Sequence, residues 1–527
     1  MPHPRAAQDD PEHYVWLVVL GVFAAFFAAF GIGANDVANA FATSVGSKAL
    51  TVRQACAIAV VMEFIGATFL GGEVVKTIRK GIADEDAFKD NPPLLMYGCL
   101  CVITSVAVWL IIACRLEMPV STTHSCVGGM IGMAIAARGA DAVVWFKDPS
   151  PPDKPLPGGF FGVVLSWFIS PILSGILACG LFFIVRLVLR SKNPFNNSVR
   201  VYPVLVWFCV SVMTLFMLMK GIKSSKGIND MEVPVKVGIA CACGAGVAIL
   251  AIPLYAMCKS RIKTGKFKAP PLAIETAEAN ASTTTEEGKA TMSTDAAKPA
   301  APLSIGERMQ KSLTSSLNVD LHQAVAEDQR TLAVHKNAER FDKDSEAMFT
   351  YLQVFSACFD ALAHGANDVA NAVGPFATIY VLYNGGSLGS KQDMGDNKFW
   401  ILGLGGIGIG VGLLLYGSQI LRAIGVKLAV ITPSRGFCIE MGSSTVVILG
   451  AYYGLPLSTT HCQVGATVGV ALLEGTRGFN KWVLAKTAFG WVFTCVFVGT
   501  VAGLLTAWGV YAPSARYPNI IFVNTTV

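Results

Sequence analysis

The eight residues GANDVANA occur twice in this chain, at 33–40 and at 365–372, each time inside a long apolar stretch. A second string follows each copy, PVSTTH at 119–124 and PLSTTH at 456–461. Asp36 and Asp368 lie 332 positions apart and Ser121 and Ser458 lie 337 apart, so the two offsets agree to within five residues. A polar cassette duplicated in apolar surroundings restricts the fold to two related halves that build one site between them.

Those surroundings are a membrane's. Of the 527 residues, 53% are hydrophobic and 14% charged, against roughly 25% charged in a soluble domain. Mean hydropathy is +0.54. Apolar segments lie near 15–32, 54–71, 98–114, 120–137, 159–189, 202–219 and 236–257, and again near 350–380, 400–423, 428–450, 457–474 and 485–510. A helix needs roughly 20 such residues to cross a hydrocarbon core. The expected fold is therefore an all-α polytopic membrane protein of about 12 membrane segments, in two inverted-topology repeats with broken or re-entrant helices. The 52 glycines suit closely packed membrane helices. The first apolar run follows an acidic stretch (Asp9, Asp10, Glu12) and leads straight into the first cassette, so it reads as a retained helix and not a cleaved signal.

Three regions follow: a first repeat with trailing helices (1–258), a polar loop (259–347) and a second repeat (348–527). The loop opens on the basic run KSRIKTGKFK and continues at 275–302 as an Ala/Thr/Glu-rich stretch without aromatics, which cannot bury enough surface to fold alone. Residues 304–346 read as an amphipathic helix within a linker. The basic run places this loop in the cytosol and both termini outside, in a multi-pass protein expected in the plasma membrane. The first cassette then runs outward-to-inward and the second inward-to-outward. The formal charge of +6 reflects basic residues at loop ends and does not suggest a nucleic-acid partner. The 14 cysteines form no CxxC and sit mostly in apolar runs as small filler.

Asn35, Asp36 and Asn39, and again Asn367, Asp368 and Asn371, fall within about one helical turn of each other. An intramembrane carboxylate is costly and marks an ion or substrate path. Carboxylate, amide and carbonyl oxygens suit hard cations such as Na⁺. In the second string, Pro119 and Pro456 break a helix and Ser121 and Ser458 are good N-caps. Free amides and the hydroxyls of Ser121, Thr122, Thr123, Ser458, Thr459 and Thr460 at a helix start suit a tetrahedral oxyanion. Neither motif contains Arg or Lys. An anion entering meets carboxylates, so co-bound cations must offset its charge; this argues for cation-coupled anion transport. Glu63 and Glu440 are a second acidic pair in apolar surroundings, candidate cation ligands or protonatable couplers. His124, His364 and His461 read as hydrogen-bonding supports, and no spacing fits a transition metal or requires a cofactor.

GANDVANAFATSVGS at 33–47, VVKTIRKGI at 74–82, HGANDVANAVGPFAT at 364–378 and SRGFCIEMGSSTVVILGAYYGLPLSTTHCQVG at 434–465 carry a specific resemblance. The chain resembles the inorganic phosphate transporter (PiT) family, whose eukaryotic members are sodium–phosphate symporters. The resemblance implies an inverted-repeat carrier of phosphate with Na⁺, or in some relatives H⁺. It implies ion and phosphate binding at Asn35, Asp36, Asn367 and Asp368, phosphate cradling by Ser121–Thr123 and Ser458–Thr460, and a transport role for Glu63 and Glu440. Glu73 and Lys76 are exchanged in sign relative to common eukaryotic relatives, and Ala42 stands where Gly is often found. The expected partners are inorganic phosphate, Na⁺ or H⁺ and the lipid bilayer, with a homodimer as an allowed assembly. Proton coupling on the same scaffold is the alternative. An intramembrane hydrolase using Asp, His and Ser is a third reading, disfavoured because every candidate is duplicated where a hydrolase needs one asymmetric set.

Overall fold

The computed structural model describes residues 11–72, 75, 81–148, 157–221, 231–267, 321–322, 325, 328–385, 398–453 and 457–516. The first repeat contributes α1 (Val15–Asn35), α2 (Val37–Gly46), α3 (Val52–Ile65), α4 (Pro92–Arg115), α5 (Thr122–Arg138) and α6 (Gly159–Leu189). Then come α7 (Pro194–Phe216), α8 (Val233–Leu250), α9 (Ile252–Lys263) and α10 (Gln329–Asn337). The second repeat holds α11 (Lys343–Tyr383), α12 (Lys398–Tyr416), α13 (Ser418–Arg422), α14 (Pro433–Tyr453), α15 (Thr459–Leu472) and α16 (Lys481–Arg516). Among the described residues there are only isolated β-bridges, such as Ala83 with Val143.

Local chemistry sets many of the helix starts. Thr51 and Gln54 form a reciprocal capping box at α3. Asn91 caps α4 ahead of two prolines, Asp342 caps α11 by accepting from Ser345 N at 2.9 Å, and Asn480 caps α16 by accepting from Trp482 N at 3.1 Å. The expected segment 159–189 coincides with α6, whereas 236–257 divides at Ala251 into α8 and α9. Of the amphipathic helix expected over 304–346, the described part is α10, a nine-residue helix, and the start of α11.

Among the described residues, eight helices are long and apolar enough to cross a membrane. The other four expected segments differ from these for identifiable reasons. With 17 and 14 residues, α5 and α15 reach only about 26 and 21 Å, short of a hydrocarbon core of roughly 30 Å. The 41 residues of α11 span about 60 Å, but they carry the second cassette, and α14 carries Arg435 and Glu440. These buried polar groups lower hydropathy without shortening the helix. All fourteen cysteines are free thiols.

The repeats exchange partners. Helix α5 lies along α16 and α15 lies along α6, so each short helix packs on the last helix of the other repeat. Likewise α1 packs on α4 and α12, and α11 on α14 and α3. Small residues permit this. A Cβ on Gly132 would strike the backbone of Gly499, and one on Gly469 would strike that of Gly175. The halves are also inverted. The loop after α5 bonds to the start of α6 (Phe160 N to Val144 O, 2.9 Å), and the end of α15 meets the far end of α6 (Arg186 Nη1 to Leu473 O, 2.9 Å). Phe160 and Arg186 lie 26 positions apart in α6 (186 − 160), about 39 Å along the helix, so α5 and α15 begin in the interior and end at opposite faces.

Candidate transport site

The two short helices begin where their serines stop the chain. Ser121 Oγ accepts from His124 N and Ser458 Oγ from His461 N, each at 3.3 Å. These oxygens accept within their own helices and keep their O–H as a donor, while the threonines reach across. Thr460 donates to Asp36 Oδ1 at 3.0 Å, and Thr459 donates to Asp368 Oδ2 at 2.7 Å. Asn371 Nδ2 lies 3.1 Å from Thr122 Oγ1 and 3.3 Å from Thr123 Oγ1. Second-repeat Thr460 therefore holds the first repeat's aspartate, and second-repeat Asn371 holds the first repeat's hydroxyls. Asn367 Nδ2 donates to Asp368 Oδ1 at 2.8 Å.

One atom each from Asp36, His364 and Asp368 lies within 4.8 Å of the others. Asp36, Asp368, Asn371, Thr122 and Thr460 are all at most 1% exposed. Asp36 Oδ2 and Asn371 Oδ1 are buried oxygens without a hydrogen-bond partner among the described residues. Two carboxylates and several neutral oxygens in so small a volume, with no Lys or Arg in either motif, form a donor set for hard cations.

Other expected residues take different places. Asn35 donates to Met118 O at 3.0 Å and accepts from Val120 N at 2.9 Å. Its amide thus clips the unwound 118–120 segment that leads into α5. The side chain of Asn39 and all of Pro456, Glu73 and Lys76 lie outside the described residues. Ala42 is buried, with the backbone of Gly425 against it. Glu63 and Glu440 do not occupy equivalent helices, since α3 corresponds to α12 and α4 to α14 in the exchange described above. Glu63 Oε2 is 3.0 Å from His364 Nδ1. His364 Nε2 is 2.8 Å from Asp368 Oδ2, but without hydrogen-bond alignment, so that contact is electrostatic. Glu440 accepts from Thr43 and Ser356, and so meets α11 ahead of this bridge.

Sequence reasoning missed the column that joins them. Along α11, Gln353, Ser356, Asp360, His364, Asp368 and Asn371 recur three or four residues apart, the spacing of one helix face. Each is matched: Ser47 donates to Gln353 at 2.7 Å, Ser356 to Glu440, Ser444 to Asp360 at 2.6 Å, then follow Glu63, Thr459 and Thr122. The i, i+4 series Ser356-Asp360-His364-Asp368 was the available signal. A second feature needed the fold. His124 Nδ1 lies 3.3 Å from Trp491 O and its ring 4.2 Å from that of Trp167. His461 Nδ1 lies 3.3 Å from Trp167 O and its ring 3.7 Å from that of Trp491. The two imidazoles meet at 4.5 Å, an exchanged pair that fixes the two helix starts against each other.

The sequence profile of the Phosphate transporter family matches residues 32–502. The chain belongs to the phosphate transporter family. The phosphate-repressible phosphate permease pho-4 of Neurospora crassa is 31% identical, over 96% of this chain and 99% of that protein. The chloroplastic inorganic phosphate transporter 2-1 of Arabidopsis thaliana is 31% identical, over 92% of this chain and 70% of that one. A solved structure of a protein described as "The sodium-dependent phosphate transporter" superposes with a TM-score of 0.67 at 28% identity, covering 93% of this chain and 98% of the other. In this chain the exchanged Thr460–Asp36 and Asn371–Thr122 contacts give the duplicated cassettes a physical meaning: neither half closes the site alone.

Proposed function

We propose that this phosphate transporter is a secondary symporter that moves inorganic phosphate with Na⁺ by alternating access. The observation that carries the reading is the meeting of Asp36 and Asp368, one from each repeat, beneath the N-terminal ends of α5 and α15. Cations held by the carboxylates offset the charge of the incoming anion, and the helix starts supply amide donors and positive dipole ends. Phosphate without cations meets two carboxylates, and cations without phosphate leave the helix starts unanswered. Each species therefore favours binding of the other, which is the thermodynamic content of coupling. The similarity to a solved transporter described as sodium-dependent supports Na⁺ as the coupling ion. Proton coupling is the second reading, favoured by the Glu63–His364–Asp368 bridge, which offers groups able to exchange a proton.

In this reading the membrane is the plasma membrane, the central loop faces the cytosol and both termini face outward. The deciding experiment is phosphate uptake into proteoliposomes under an imposed Na⁺ gradient and, separately, an imposed proton gradient. Accumulation driven by Na⁺ at equal pH is expected. Accumulation driven by the proton gradient alone would replace Na⁺ with H⁺, and uptake under neither gradient would remove coupling from the proposal.

A further inference from the structure

The face that carries the end of α9 and its basic residues also carries a groove that the transport site does not use. It lies between α10 and the loop that leads into α16, with a volume of about 970 Å³. Four cationic side chains line it, Arg330, Lys336, Arg477 and Lys481, together with Phe479 and Trp482, and no carboxylate lines it. The cations beside it are different. Arg186 and Arg190 share Glu339 at 2.6 and 2.5 Å, and Arg435 pairs with Glu474. Among the described residues, none of the four groove cations is paired with a carboxylate. Asp328, the carboxylate that caps α10 by accepting from Arg330 N at 3.1 Å, offsets part of this charge, and a net positive field remains because four cations line the groove.

The position of the groove selects what answers that field. Trp482 is the second residue of α16, a membrane-crossing helix, and is 64% exposed. Exposed tryptophan at the end of a spanning helix marks the headgroup level of the bilayer. The Arg330 guanidinium stands 5.4 Å over its ring, which holds a charge at that level. We propose that this groove is a binding site for the phosphate headgroup of an anionic phospholipid. The headgroup meets the four cations and the acyl chains run down beside α16. The leaflet follows from the orientation proposed above, whereas the site itself does not depend on it. Occupancy also bears on the carrier: His335, on α10, contacts Val426 O at 3.1 Å, and Gly425 next to it packs on Ala42 of α2. A bound headgroup therefore braces α10 against the elements behind Asp36.

The test uses the purified full-length protein in neutral detergent, so that membrane orientation plays no part. It is titrated with dioctanoyl phosphatidic acid, dioctanoyl phosphatidylcholine or glycerol 3-phosphate while thermal midpoint and tryptophan fluorescence are followed. Phosphatidic acid should raise the midpoint and change the fluorescence. The other two should do neither, and Trp482→Phe should remove the fluorescence change. Combined Arg330→Gln, Lys336→Gln, Arg477→Gln and Lys481→Gln should weaken the apparent affinity more than about tenfold, while Lys336→Arg with Lys481→Arg should keep it. If the fourfold variant does not fold, Arg477→Gln with Lys481→Gln provides the same comparison on the loop and the first residue of α16, leaving α10 untouched. An undiminished response in the Gln variants, or an equal response to phosphatidylcholine, would overturn the site. An equal response to glycerol 3-phosphate would overturn its assignment to lipid.

Discussion

Thr460→Val removes one hydroxyl from the point where the two repeats meet and leaves the shape of the side chain almost unchanged. That hydroxyl donates to Asp36 Oδ1 at 3.0 Å, with Val120 O as a second acceptor at 3.3 Å. Asp36 is 1% exposed, so water cannot replace the lost donor. A hydrogen bond to a charged group contributes about 1.5–3 kcal/mol, and a buried acceptor left unmade costs a similar amount. At about 1.4 kcal/mol per factor of ten, the half-saturation constants for Na⁺ and phosphate should rise by about 10- to 150-fold. The carboxylate charge remains, so some coupled uptake should persist. Ser458→Ala provides the contrast. Its hydroxyl caps α15, so its loss should lower stability by about 1 kcal/mol and shift the melting midpoint with less effect on half-saturation, whereas Thr460→Val should change both. The assay is radiolabelled phosphate uptake in proteoliposomes at several Na⁺ concentrations, paired with thermal unfolding of each variant. Wild-type half-saturation for both ligands in Thr460→Val would refute the argument that the second repeat holds the first repeat's aspartate.

Asp36→Asn and Asp368→Asn should each abolish coupled uptake while the protein still reaches the membrane, as checked by surface labelling alongside transport. Shortening 275–300 should leave uptake largely intact, because that stretch is poor in apolar residues and lies outside both repeats; loss of uptake in a well-expressed deletion would make it part of the gating machinery. Gly132→Leu should reduce the yield of folded protein, since the backbone of Gly499 occupies the space a side chain needs, and size-exclusion profiles would show it. Burial pushes the Glu339 carboxyl up, but hydrogen bonds and charge from Arg190 and Arg186 outweigh this and hold it below its ordinary value. Its contribution to stability is then present above about pH 4.3, the ordinary glutamate value, and lost as pH falls through the lower folded value. Glu339→Gln should accordingly flatten the acid limb of a melting-temperature profile.

Much of the architecture was legible because it is written in local spacing. Ser121 and Ser458 cap helices through an i to i+3 contact that depends only on residues 121–124 and 458–461. Apolar run lengths fixed α6 to the residue, and the two near-equal offsets between cassettes announced two halves. The polar face of α11 was equally local and was overlooked because its residues are spread over five turns of helix. What the tertiary structure alone decided is which partner each polar group meets. Asp36 and Thr460 are 424 positions apart and His124 and Trp491 are 367 apart; no local rule selects such pairs. They are selected by how closely α5 can lie on α16 and α15 on α6, which rests on glycines at the crossings. The same packing separates residues that look alike in sequence. It gives Asn35 to the 118–120 backbone and leaves its counterpart Asn367 to Asp368, and sets Glu63 against His364 but Glu440 against Thr43, because a buried polar group takes the partner that its surroundings present.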